Sequence, residues 1–402
     1  MHDSLRLTVA RGLRGFADGA VSVVLPAYLL GIGLSQVQVG AIATATLVGS
    51  ALLTLCVGLA GGRFAARQVL LASCALLALT GLGFASQTAL APLLLVAFVG
   101  TMNPTAGDVS IFLPTEQALL AESPDVRERT ATFARYNVAG ALLGAAGSLA
   151  AGLPELAARR FGVPLDAALR AVFVSYAAVA LPLVALYLGL GSGASAARPS
   201  AARAPLARSR KVVLRLTALF AIDSFGGGFA VQSMLALWLA QRFGLSLAEL
   251  GSFFFAASTL SAFSQFLSAR LAARIGLVET MVFTHLPANL FLIASVFMPT
   301  APLALGCLLV RGALSQMDVP ARQSYVMAVV PPEERAAAAS VTNVPRALAS
   351  ALAPLLTGAM LQHSSFGWPL ICAGSLKIAY DLLLLWQFRA VPPHALEPRA
   401  NS

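Results

Sequence analysis

Apolar runs of about twenty residues follow one another along the whole chain, separated by short stretches rich in Arg, Gly, Pro and Ser. At 1.5 Å rise per residue, a helix of about 20 residues crosses a hydrocarbon core of about 30 Å. The pattern predicts twelve such helices, at 9–31, 39–61, 68–88, 91–113, 130–153, 170–191, 213–240, 248–269, 279–298, 302–328, 337–361 and 366–388. The short alternating segments of transmembrane strands are not found. The expected fold class is an all-α polytopic membrane protein with 12 transmembrane helices. The first run has no small-residue cleavage site before further spans follow, so it reads as a retained span and not a signal peptide.

Composition agrees: the chain is 58% hydrophobic and 11% charged, against about 25% charged in soluble domains. The net charge of +10 does not point to nucleic acid, because of where the cations lie. With the N-terminus inside, only Arg159, Arg160, Arg170 and Arg242 fall in outer segments. That asymmetry is the positive-inside rule, and it places both termini in the cytoplasm. Cys56, Cys74, Cys307 and Cys372 have no ligand spacing and read as small core residues. No metal or cofactor is expected.

The chain repeats itself. Pro114, Gln117, Glu128, Arg129 and Asn137 match Pro320, Gln323, Glu334, Arg335 and Asn343 at a constant offset of 206. Gly152 and Gly358 keep that offset, while "GLSQVQVG" (33–40) matches "GLSLAELG" (244–251) at 211, as Arg63 matches Arg274. Between the halves lies "GSGASAARPSAARAPLARSRK" (191–211), a flexible basic linker by composition. The expected organisation is a six-helix bundle over 1–190, a cytoplasmic linker over 191–211 and a second six-helix bundle over 212–402. An even number of spans per half makes the repeats parallel, related by an axis along the membrane normal.

Six plus six spans, a long central loop and short basic 2–3 and 8–9 loops resemble the major facilitator superfamily over the whole chain. The family's 2–3 loop signature is degenerate here. "GLAGGRFAARQ" (58–68) keeps Gly58, Arg63 and Arg67 but has Gly62 where the family has Asp, and the second copy has Ala273 there. "GALLGAAGSLAAG" (140–152) is similar to the glycine-rich span 5 of the family's drug:proton antiporters, with Ser148 at the proline position. It reads either as a close helix contact or as an antiporter device.

The resemblance implies that spans 1, 4, 7 and 10 line a central cavity. They carry Asp18, Asp108, Asp223 and Asp318, together with Arg14 and Arg311. Ionisable groups at membrane depth are costly and mark sites or partners. Arg14 and Asp18, four apart, share a helix face; the pair is either a permanent ion pair or a proton site steadied by Arg14. Asp223 has no cation within a turn and precedes Gly226, Gly227 and Gly228, so it is expected to bind a proton or cation, with the glycines loosening the helix or packing tightly. Arg311, Asp318 and Arg322 fall near one face, with Ser315 and Gln316 beside it, and Pro320 frees a carbonyl near Gln316. Lys377 and Asp381 read as a structural pair, and His285 as structural.

Glu116 and Arg322 are equivalent at offset 206 and opposite in charge. They are expected either to close a cytoplasmic gate between the halves or each to meet an opposite charge in its own half. Arg63, Arg129, Arg274 and Arg335 are expected at the same face, as anchors or as part of a latch.

The functional expectation is a secondary transporter working by alternating access on a small molecule, as a monomer in the bilayer. Efflux by proton antiport leads; proton-coupled uptake of an organic solute or anion, held by Arg14 and Arg311, is the alternative. No phosphate loop occurs, so ATP is not the drive. No metal or nucleophile constellation suggests an enzyme; a non-transporting sensor is the remaining reading.

Overall fold

In a computed structural model the chain is all helical, and the structure describes residues 3–59, 63–105, 110–121, 126–191, 209–331 and 334–388. The first repeat supplies α1 (Asp3–Gly31), α2 (Gln36–Leu59), α3 (Ala66–Ser86), α4 (Leu90–Val99), α5 (Phe112–Leu120), α6 (Val126–Ala150), α7 (Leu153–Phe161), α8 (Leu165–Ala178) and α9 (Ala180–Leu188). The second supplies α10 (Arg210–Gly228), α11 (Gln232–Phe243), α12 (Leu247–Ile275), α13 (Leu277–Val296), α14 (Ala301–Ser315), α15 (Asp318–Val329), α16 (Arg335–His363) and α17 (Trp368–Phe388). Among the described residues, 10 stretches are long and apolar enough to cross a membrane. The other two expected spans, 91–113 and 302–328, hold the shorter apolar helices α4 and α14.

Those two spans are short because both break, at related places. α5 begins at Phe112 and α15 at Asp318, a separation equal to the repeat offset of 206. Each break has a proline nearby: Pro104 lies between α4 and α5, and Pro320 lies in the first turn of α15, where its missing N–H costs nothing. Span 7 breaks as well, between α10 and α11, immediately after Gly226–Gly228. Three of the four spans with the polar clusters are therefore interrupted.

Contacts divide the chain into two units that do not follow the repeat boundary. One comprises Met1–Ser200, Val231–Thr259 and Pro354–Phe366; the other Ala201–Ala230, Leu260–Ala353 and Gly367–Ser402. In the first, α1 packs along α6 through glycines. A Cβ on Gly15 would stand 2.6 Å from the Gly140 carbonyl oxygen, and one on Gly19 would overlap the carbonyl of Gly144. Ser148 donates to the Gly144 and Gly19 carbonyls at 3.2 and 3.3 Å, and accepts from Gln232 at 3.0 Å. The glycine stripe of span 5 is thus a close helix contact. We expect Gly19→Ala to cost about 1–3 kcal/mol through overpacking. Gly31→Ala, with nothing within 4 Å of its Cβ position, should stay within about 0.5 kcal/mol. Thermal unfolding of the purified variants checks both.

The "GLS" repeat has a physical reading within this unit. Gly33 and Gly244 both adopt positive φ, 92° and 68°, which favours glycine. Ser35 and Ser246 then cap the next helix, each in a reciprocal box with Gln38 or Glu249. The motif's last glycines, Gly40 and Gly251, are close approaches: Gly40 to Pro354 and Gly358, Gly251 to the Ser148 carbonyl. Gly152, the equivalent of Gly358, meets Ala248. Repeated residues thus form one seam twice, span 2 on span 11 and span 5 on span 8.

The second unit is built on α13, which packs against α17, α14 and α15, with α10 against α17. Its core holds Val213, Leu216, Phe220, Met281, Tyr325 and Tyr380.

Candidate functional site

Among the described residues, each unit contains a buried polar centre. In the first, α1 presents Arg14 to Glu116 of α5. The guanidinium forms two hydrogen bonds to the carboxylate, at 2.9 and 2.5 Å. Tyr187 of α9 and Tyr136 of α6 donate to the same carboxylate, at 2.6 and 2.5 Å. The Arg14 guanidinium lies 4.2 Å above the Phe112 ring. Glu116 is completely buried and every lone pair it needs filled has a donor. The expected Arg14–Asp18 ion pair is therefore corrected: Arg14 is committed to Glu116. The reason is geometric. Four residues apart on one helix, Asp18 shares a face with Arg14, but a carboxylate on a neighbouring helix can offer both oxygens to the planar fork.

Asp18 is left with different company. It is buried in α1, and the groups that act on it electrostatically are Arg11 and Arg14 of its own helix and Tyr176 of α8. Among the described residues it has no ion pair.

In the second unit, Asp223 of α10 accepts from Lys377 of α17 at 2.6 Å and from Arg322 of α15 at 3.3 Å. His285 of α13 approaches it at 3.7 Å. Arg322 also reaches Asp318 at 3.1 Å, one turn away on its own helix. His285 Nδ1 meets Asp381 at 2.9 Å, and Asn289 donates to the other Asp381 oxygen at 3.2 Å. The expectation of an unpaired Asp223 is thus overturned, as is the Lys377–Asp381 pair. Lys377 reaches Asp223 because Gly226 and Gly227 clear its path: a Cβ on Gly226 would sit 3.1 Å from Lys377 Cγ. His285, expected to be merely structural, joins two carboxylates.

Glu116 and Arg322 each stand fifth in their helices, α5 and α15. Each has its opposite charge within its own repeat, the second of the two arrangements expected. The repeats thus hold the same kind of pair with its sign reversed: Arg14 of span 1 on Glu116 of span 4, and Asp223 of span 7 on Arg322 of span 10.

The remaining expected residues are scattered. Arg311 is half-buried in α14, its Nε buried without a partner among the described residues. The break at Gln316 and Met317 separates it from Asp318, so the expected common face is not continuous. Gln316, half-buried, caps α14. Asp108 lies outside the described residues. Arg129 and Arg335 belong to α6 and α16, with side chains outside the description. Arg63 and Arg274 are exposed at the ends of the 2–3 and 8–9 connections. Arg67 bonds to the carbonyls of Leu190 and Gly191, tying the start of α3 to the end of span 6. Glu334 accepts from Ser209, holding the start of α10.

Sequence reasoning missed Tyr136, Tyr176 and Tyr187, which carry no charge to flag them. It also missed Arg346 of α16, a cation inside an expected span that was there to be counted. Arg346 donates to Ser224 at 3.1 Å and Asn343 at 3.3 Å.

Interrupted helices and buried charge centres are features that polytopic helical membrane transporters share. The Major Facilitator Superfamily model matches residues 7–354, and the chain belongs to that superfamily. It is a secondary transporter of a small molecule and not an enzyme. An uncharacterized membrane protein of Saccharomyces cerevisiae, YJR124C, is 24% identical over 94% of this chain and 92% of its own length. Among solved structures, the nucleoside transporter NupG superposes with a TM-score of 0.73 at 15% identity, covering 97% of this chain and all of NupG. An inward-facing bacterial homologue of the iron transporter ferroportin gives 0.75 at 15%, covering 96% and 98%. At these identities the structures share the fold.

Proposed function

We propose that this transporter is a proton-coupled symporter of a small organic anion and that Asp18 carries the proton. The observation that carries the reading is the state of Asp18: a buried carboxyl in a span expected to line the cavity, near Arg11, Arg14 and Tyr176 but without an ion pair among the described residues. A buried carboxylate whose nearest cations, Arg11 and Arg14, do not form an ion pair with it is expensive, so this group gains most from exchanging a proton. Arg14, the cation nearest in sequence, is occupied by Glu116.

Two sequence features favour efflux by antiport, the acids of the cavity-lining spans and the glycines of span 5. Both grounds have another use in the structure. Glu116, Asp223, Asp318 and Asp381 each have a basic partner, and the glycines make a helix contact. Two half-buried cations of the second unit, Arg311 and Arg346, instead have no carboxylate in ion-pair range among the described residues. Moving a proton with a monoanion makes the cargo neutral, which lowers the cost of crossing the low-dielectric core. The two six-helix halves, cytoplasmic termini, monomeric state and a bacterial inner membrane are kept as parts of the proposal, supported by the basic inner loops and short connections.

The test is flux in proteoliposomes with a lumenal pH dye, screened against small carboxylates, organic phosphates, amphiphilic cations and sugars. Symport acidifies the lumen as an anion enters. Alkalinisation on entry of any member would establish antiport and overturn the reading.

A further inference from the structure

Arg346 differs from the paired cations of its unit. Arg322 and Lys377 touch carboxylates, whereas the partners of Arg346 are the neutral Ser224 hydroxyl and Asn343 amide oxygen. It is the twelfth residue of α16, about 17 Å along the axis from the start of the helix, and is half-buried. Asn343, one turn before it, is exposed. Phe220 of α10 lies beneath both arginines, its ring centroid 5.7 Å from Arg322 and 6.0 Å from Arg346. The three acids of this polar centre are already engaged: Asp318 with Arg322, Asp223 with Arg322, Lys377 and His285, and Asp381 with His285.

A guanidinium held at membrane depth by two neutral oxygens and an aromatic face keeps its charge uncompensated at contact distance. Such a residue is retained at a cost, and its planar donors match a carboxylate or phosphate in two-point contact. Ser224 accepts from Arg346 as the Tyr187 hydroxyl accepts from Arg14, but no carboxylate completes the pair. We propose that the missing anion is the substrate's: Arg346 binds its carboxylate or phosphate, with Asn343 and Ser224 holding the guanidinium in position. This rests on the symport reading for its direction, but not for the binding itself.

The test is thermal unfolding of the full-length purified protein in nanodiscs of phosphatidylcholine. It is titrated with inorganic phosphate, acetate, succinate and glycerol phosphate at constant ionic strength, with choline and glucose as controls. At least one anion is expected to raise Tm in a saturable way. Arg346→Gln should weaken that response about tenfold or more, the loss of one charge-assisted contact. Arg346→Lys should recover it only in part, because an ammonium lacks the fork. If Arg346→Gln does not fold, the lysine variant carries the test. Asp18→Asn should still show the anion response, so a failure of proton coupling is told apart from a failure of this site. No response to any anion, stabilisation by choline or glucose alone, or an unchanged midpoint in the Arg346 variants would overturn the proposal. So would a response to phosphatidylglycerol nanodiscs that depends on Arg346 while the soluble anions give none, since the site would then belong to a lipid headgroup.

Discussion

Truncating Glu116 to alanine is expected to cost about 3–5 kcal/mol and to remove most of the folded protein from the membrane. The change strands Arg14 as a buried cation and leaves the Tyr136 and Tyr187 hydroxyls without their acceptor. Arg14→Ala should be as severe, since it strands the carboxylate. The double variant Arg14→Met with Glu116→Leu should recover much of the loss, because replacing both partners of a buried pair by apolar groups is often close to neutral. Thermal unfolding followed by size-exclusion fluorescence distinguishes these outcomes. A single Glu116→Ala variant as stable as wild type would mean that the pair is not made.

Asp223→Asn is expected to be nearly as damaging, for a reason the sequence did not disclose. It removes the anion shared by Lys377 and Arg322, leaving two cations and only Asp318 beside them. We expect a loss of about 3 kcal/mol or more. A double-mutant cycle between Asp223 and Lys377 should give a coupling of about 1–3 kcal/mol, larger than that between Lys377 and Asp381. The reverse order would restore the pair expected from i,i+4 spacing. Transport by Asp223→Asn, rescued for stability by Lys377→Met, reports whether this centre is needed for more than folding.

The sequence carried the fold because its signals are periodic or repeated. Hydrophobic run length located the spans and constant offsets related the two halves, but the breaks before Phe112 and Asp318, which keep that offset, were not foreseen. Both glycine–serine corners were visible as strings, although their positive φ and capping boxes were not. The polar centres were only half legible. Which spans held charge could be read directly; which charges meet could not, because same-face spacing speaks only about one helix. Arg14 chose Glu116 from 102 residues away over Asp18 at four. Lys377 chose Asp223 from 154 residues away, through space opened by glycines whose purpose a linear reading leaves ambiguous. Tyrosines such as Tyr187 stay silent in sequence, since an apolar ring bearing one hydroxyl looks the same in a core and at a carboxyl group.

The central claim is that Asp18 links substrate movement to protons. Its direct measurement uses proteoliposomes containing Asp18→Asn and the anion identified by the lumenal-pH screen. Concentrative uptake driven by an inward proton gradient is compared with exchange of labelled for unlabelled substrate at equal pH. Asparagine keeps the size and polarity of the side chain but cannot exchange a proton. The account predicts that gradient-driven accumulation and lumenal acidification disappear while exchange persists. Accumulation at the wild-type level in Asp18→Asn would contradict it.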